Sequence, residues 1–134
     1  MIYDFIVSRL NSASALGPNV FPVGVNIDDI YSAENDFAFT VYTCKSREPE
    51  YDLEGGIHHY SDQVIVDFIG RLYHRLHEMY ADTESAFSVS DLDTGNGEYI
   101  HSVRCSSPEP DAFDPEHGLL RRTMLISIDW SPME

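Results

Sequence analysis

A chain of 134 residues has the size of one domain and can bury about two-thirds of the surface it exposes when unfolded. Its 43% hydrophobic and 12% aromatic residues exclude a disordered chain, and 23 acidic against 8 basic side chains, a formal net charge of −15, leave no clustered Lys and Arg for nucleic-acid binding. No apolar run approaches the roughly 20 residues of a membrane span, and Asp4 stands where a secretory leader would be basic, so a soluble chain starting in the cytoplasm is expected.

In chain order, Ile2, Phe5, Ile6, Leu10 and Ala13 recur at offsets of three and four, which predicts an amphipathic helix. Gly17-Pro18 ends it near Leu16, because glycine accepts the left-handed geometry after a helix and proline cannot continue one. Val20-Phe21-Pro22-Val23 reads as a short extended piece at an edge or turn, and the polar, acidic residues 26–36 as surface loop. Residues 37–44 alternate and are rich in β-branched and aromatic side chains, which predicts a strand. A long charged connection over 45–56 then ends in Gly55-Gly56.

A second strand is expected over 57–69, with Tyr60, Asp62, Val64, Val66 and Phe68 sharing one face. After Gly70 the period changes: Leu72, Leu76, Met79, Tyr80 and Thr83 predict a second helix to about Ala86, with Arg75 and Glu78 on its exposed side. Strand-like pieces at 87–89 and 98–105 flank an acidic turn containing Asn96-Gly97. Residues 106–118 read as a second long loop. The segment 120–130 is a half-buried strand, with Arg122, Met124, Ile126, Ile128 and Trp130 on one face and Arg121, Thr123, Ser127 and Asp129 on the other. These elements predict one α+β domain over residues 1–134: a mostly antiparallel sheet of about four to five strands, with two main helices packed on one face.

Candidate chemistry is sparse. His74 and His77 project to one side of the second helix, and His58-His59 lies on the preceding strand, but the zinc-protease spacing of two histidines four apart is missing. Asp91, Asp93, Gly95, Asn96 and Gly97 begin like a calcium loop, which then fails at Asn96 and at Ser102, where a glycine and a bidentate glutamate are needed. Cys44 and Cys105 lie in strand-like stretches without a CxxC pair and read as reduced thiols. Neither GxSxG nor a phosphate-cradling glycine loop is present. No catalytic residue, cofactor or metal is therefore expected. Tyr51, Leu53 and Phe113 instead stand out as apolar or aromatic residues amid acid in the two long loops, the mixture suited to a contact surface.

A resemblance enters at the C-terminal end. Asp114-Pro115-Glu116-His117-Gly118-Leu119-Leu120-Arg121-Arg122-Thr123 leads into an alternating strand that ends at Asp129-Trp130. This arrangement resembles phage and prophage tail-completion proteins, also described as tail-to-head joining or tail-terminator-like proteins. The first helix, Val20-Phe21-Pro22, the strand ending in Val41-Tyr42, and Tyr51-Asp52-Leu53-Glu54-Gly55-Gly56 before the next strand and helix follow the same order. The acidic loop after Pro22 departs from that pattern by lacking a proline before the next strand.

The resemblance implies a non-catalytic virion subunit at the head-proximal end of the tail, present in the host cytoplasm before assembly. It implies a ring, a hexamer in the assembled tail, that contacts copies of itself, the major tail tube protein and a head-completion or connector protein; the charge balance and the lack of a long apolar run add that neither nucleic acid nor membrane is expected as a partner. The interface residues implied are Tyr51, Leu53, Glu54, Phe113, Arg121 and Arg122. Two other readings compete: an acidic DNA-mimic inhibitor, which would need carboxylates along one continuous face, and a small metal-dependent enzyme built on the histidines.

Overall fold

The computed structural model describes residues 2–34, 36–45, 48–51 and 57–133, with the backbone alone described at 48–51 and 57–58. Helix α1 (Ile2–Ser12) buries Ile2, Phe5, Ile6 and Leu10, the stripe its period dictates, and carries Asp4 in its first turn and Arg9 in its last, each favourable to the helix dipole. A single 3-10 turn (Ser14–Leu16) follows, and Gly17 at φ 60° closes it. Strand β1 (Val20–Pro22) is the edge piece that its proline calls for, and it pairs in parallel with β2 (Ala38–Cys44). Strands β3 (Glu48–Tyr51) and β4 (Ile57–Gly70) precede helix α3 (Tyr73–Ala86). Strands β5 (Ser90–Asp93), β6 (Glu98–Ser106), β7 (Ala112–Asp114) and β8 (Leu119–Pro132) complete the chain.

The sheet runs in the order β1-β2-β4-β8-β6-β5. Its centre is the antiparallel pair β4 and β8, in register from Tyr60↔Trp130 to Gly70↔Leu120. Both are 14 residues long, so each outlasts its other neighbour and shares that edge between two shorter strands. Beside β4, β2 pairs as far as Cys44↔Val64 and β3 continues from Glu48↔Ser61. Beside β8, β7 covers Leu119–Arg121 and β6 takes over at Leu125.

The main core lies between the sheet and the helices α1 and α3. Val64, Val66 and Phe68 of β4 and Met124, Ile126 and Ile128 of β8 are fully buried, and they meet Leu10, Leu76 and Met79. Burying each such side chain contributes about 2 kcal/mol before the entropy of ordering the chain is counted. Asp82 of α3 holds the 3-10 turn that follows α1 by accepting hydrogen bonds from the Ala15 amide at 3.0 Å and the Ser14 hydroxyl at 3.3 Å.

The α+β class, the mostly antiparallel sheet and the placement of the two main helices on one face agree with expectation. Four particulars do not. The strands number eight among the described residues, above the four to five expected, because β1, β3, β5 and β7 are three- or four-residue pieces that exist only where a long strand offers free backbone groups. Residues 26–36 are not all loop: α2 (Ile27–Ile30) lies there, its first turn capped by the Asn26 side chain accepting from the Asp28 amide at 3.0 Å. Residues 87–89 are not a strand, since Phe87 caps α3 and is fully buried edge-on against Phe5, with ring centres 6.1 Å apart. The strand begins at Ser90. The two connections over 45–56 and 106–118 are not all loop either, since β3 and β7 lie within them. Asp62, on the same face of β4 as Val64 and Val66, is buried like Glu98 and accepts a 3.0 Å hydrogen bond from the Trp130 indole.

Helix α2 sits on the opposite side of the sheet from α1 and α3. There Phe37, Phe39 and Leu119 form a second, smaller apolar cluster, against which Phe21, Ile27, Ile30, Val41 and Ile69 pack. The reason is alternation. Phe39, Ile69 and Leu119 occupy the odd face of their strands, and the main helices cover the even one.

Candidate interaction surface

Beside the second cluster two of the sequence-predicted contact residues, Phe113 and Arg121, come together. Strand β7 pairs Ala112 with Arg121 and Phe113 with Leu120, which sets Phe113 beside the start of β8. Phe113 is 62% exposed, unusual for a phenylalanine in a strand. With Ile27, Ile69, Ala112, Asp114, Leu119 and Arg121 it lines a shallow, mostly apolar groove of about 290 Å³.

Two side chains brace the segments around the groove. Arg71 donates to the Ser32 carbonyl at 2.6 Å and to the Glu34 carbonyl at 2.7 Å, and lies 5.0 Å from the Tyr31 ring centre, so it fastens the chain that follows α2. His117 stands at the turn between β7 and β8. Its Nδ1 is 2.9 Å from Asp114 and its Nε2 is 3.6 Å from Asp28 on α2. The hydrogen bond with Asp114 is the main reason the His117 pKa is raised above the ordinary 6.5 and the Asp114 pKa is lowered below 3.8.

Arg122 faces the other side of the sheet. It grips Asp111 with two hydrogen bonds of 3.1 and 3.0 Å, donates to the Tyr73 hydroxyl at 2.6 Å and stacks over the Tyr73 ring at 4.8 Å. Arg122 therefore anchors residues 106–118 to α3. Of the six residues expected at an interface, Phe113 and Arg121 meet at the groove. Tyr51 lies in β3 with its backbone opposite Ile57, its side chain outside the described residues. Leu53 and Glu54 lie outside them altogether. Ile27, Leu119 and His117 belong to this surface without a sequence pattern that marks them as contact residues. Asn26 followed by isoleucines three apart was the available signal for α2, but one turn is too short to establish a period.

The histidines of the alternative metal reading do not converge. His77 approaches Arg122 at 3.5 Å near the start of β8, whereas His59 lies against His101, which bonds Ser131 at the other end of that strand. The side chain of His58 lies outside the described residues. Asp114, Glu116 and His117 do bring three ligand atoms within 4.8 Å of one another. Their bonds are those of an Asx turn, with Asp114 accepting from the Glu116 amide at 2.9 Å. The Asp91–Gly97 segment is likewise turn chemistry, with Asp93 accepting from the Gly95 amide at 2.8 Å. Cys44 and Cys105 are free thiols, their pKa values pushed up chiefly by burial, to about 11 for Cys105.

These features define an α+β protein in which the sheet face away from the main helices carries a small apolar groove with a charged rim. No helix of the described residues is long and apolar enough to cross a membrane. No family model matches the chain, and no curated protein sequence matches it. Among solved structures the chain is similar to one described as "Virion of native gene transfer agent (GTA) particle", with a TM-score of 0.63 at 10% identity. The likeness covers 94% of this chain and 91% of that one, so it is a likeness of whole folds.

Proposed function

We propose that this chain is a non-catalytic structural subunit of a phage-like virion, which caps the tail tube as a ring and helps join the tail to the head connector. The observation that carries the reading is the end-to-end correspondence of its fold with a chain of a gene transfer agent virion. The order of sequence elements, which resembles tail-completion proteins, adds the tail-end position, the hexameric ring, and the tail tube and head-completion proteins as partners. On this reading residues 1–134 act as one tail-completion-like domain, in the host cytoplasm until assembly.

A ring subunit that also joins the tail to the connector needs contacts both with its own copies and with other proteins. Tyr51, Leu53 and Glu54 supply one candidate surface, and Phe113 with Arg121 a second at the groove, open to a protein other than this chain. Arg122 acts from behind by holding residues 106–118 in place. The test is to purify particles from cells expressing a tagged chain and locate the tag by gold labelling. Label at the head-proximal tip of tails is expected. A chain that never co-purifies with particles sinks the reading.

A further inference from the structure

We propose that the groove beside Phe113 is a docking site for a different, basic protein segment that brings one apolar side chain with it, and not for a second copy of this chain. The groove supplies the apolar half: Ile27, Ile69 and Leu119 form its floor and Phe113 stands exposed on its wall. The rim supplies the sign. Asp28 is 77% exposed and Asp114 46% exposed at their side chains, and Asp29 and Glu116 beside them are exposed too. Against these four carboxylates stand Arg121, which lines the groove, and His117, which lies between Asp114 and Asp28. The neighbouring guanidinium, Arg122, is already neutralised by Asp111.

Charge complementarity decides between the two kinds of occupant. Each pair of like charges brought within about 5 Å costs near 1 kcal/mol in water, and more as docking expels the water between them. A second copy brings 23 acidic and 8 basic side chains, and of the basic ones Arg71, Arg75 and Arg122 are already bound within the chain. A segment rich in arginine or lysine turns the same rim into an attraction that speeds encounter, and its apolar side chain fills the groove. That this partner is another virion protein rests on the function proposed above; the chemistry of the surface does not.

The experiment uses a short synthetic peptide of alternating arginine and leucine, labelled for fluorescence anisotropy at low salt, with an arginine–serine peptide as control. Phe113→Ala leaves the net charge unchanged and should weaken binding of the arginine–leucine peptide about tenfold. Glu116→Lys and Asp29→Lys should each weaken both peptides, with circular dichroism confirming an intact fold. Equal affinity of the parent and the Phe113→Ala variant for the arginine–leucine peptide would overturn the proposal, because charge alone would then account for binding. A parent chain that self-associates at low salt in sedimentation, and loses that association on Phe113→Ala, would also overturn it. Either result can be read whether or not the chain is found in particles.

Discussion

His117 sets how firmly α2 is tied to the β7–β8 turn, and its chemistry gives that tie a pH window. The groups that face it are Asp114, Glu116 and Asp28, all of which favour its protonated form. With its pKa raised by Asp114, His117 stabilises the fold fully below the ordinary value of 6.5 and loses that contribution as pH rises through the raised value. Asp114, whose pKa is lowered chiefly by His117, contributes above 3.8 and loses its share as pH falls through the lowered value. The tie is thus complete between roughly pH 4 and pH 6.5. An NMR titration should place the His117 midpoint above that of an ordinary histidine, and Asp114→Asn should bring it back down. A midpoint that ignores this substitution would show that the Asp114 bond is not its cause. Strand alternation already separates Arg121 from Arg122 in the sequence, because neighbouring residues of a strand face opposite ways. What waits inside each face is not written there: Asp111 and Tyr73 reach Arg122 across 11 and 49 residues of chain.

At the scale of elements, Arg122 is the bond that holds residues 106–118, with the three-residue strand β7 among them, against α3. A lysine keeps the charge but offers neither the two-pronged grip on Asp111 nor the flat face that stacks on Tyr73. Arg122→Lys is therefore expected to speed amide hydrogen exchange around Asp111 and along β7, while leaving β4 and the core half of β8 protected. Unchanged exchange around Asp111 would mean that β7 holds itself. Which elements could be read from sequence follows from length. Helices α1 and α3 and strands β4 and β8 repeat their period several times, so their apolar faces stand out. Helix α2 and strands β3 and β7 contain one turn or one alternation each. Tertiary context makes them regular: β7 forms because the first residues of β8 extend past the end of β6.

For the molecule as a whole, a formal charge of −15 means that folding gathers carboxylates that the open chain keeps apart. Raising sodium chloride from about 10 mM to about 150 mM shortens the screening length from about 30 Å to about 8 Å. The melting temperature should rise across that range by several degrees. A fall would show that exposed ion pairs, such as Arg75 with Glu78, outweigh the general repulsion.

By itself the sequence determined the fold class, the faces of the long strands and helices and the acidity of the surface. Each of these follows from local period or from counting, which need no knowledge of neighbours. Only the tertiary structure decided that β8 lies between β4 and β6, that α2 covers the opposite face, and that Ile27, Phe113 and Leu119 share one groove. Those are pairings between residues far apart in the chain, selected by which buried surfaces and free backbone groups fit together once the long elements have packed.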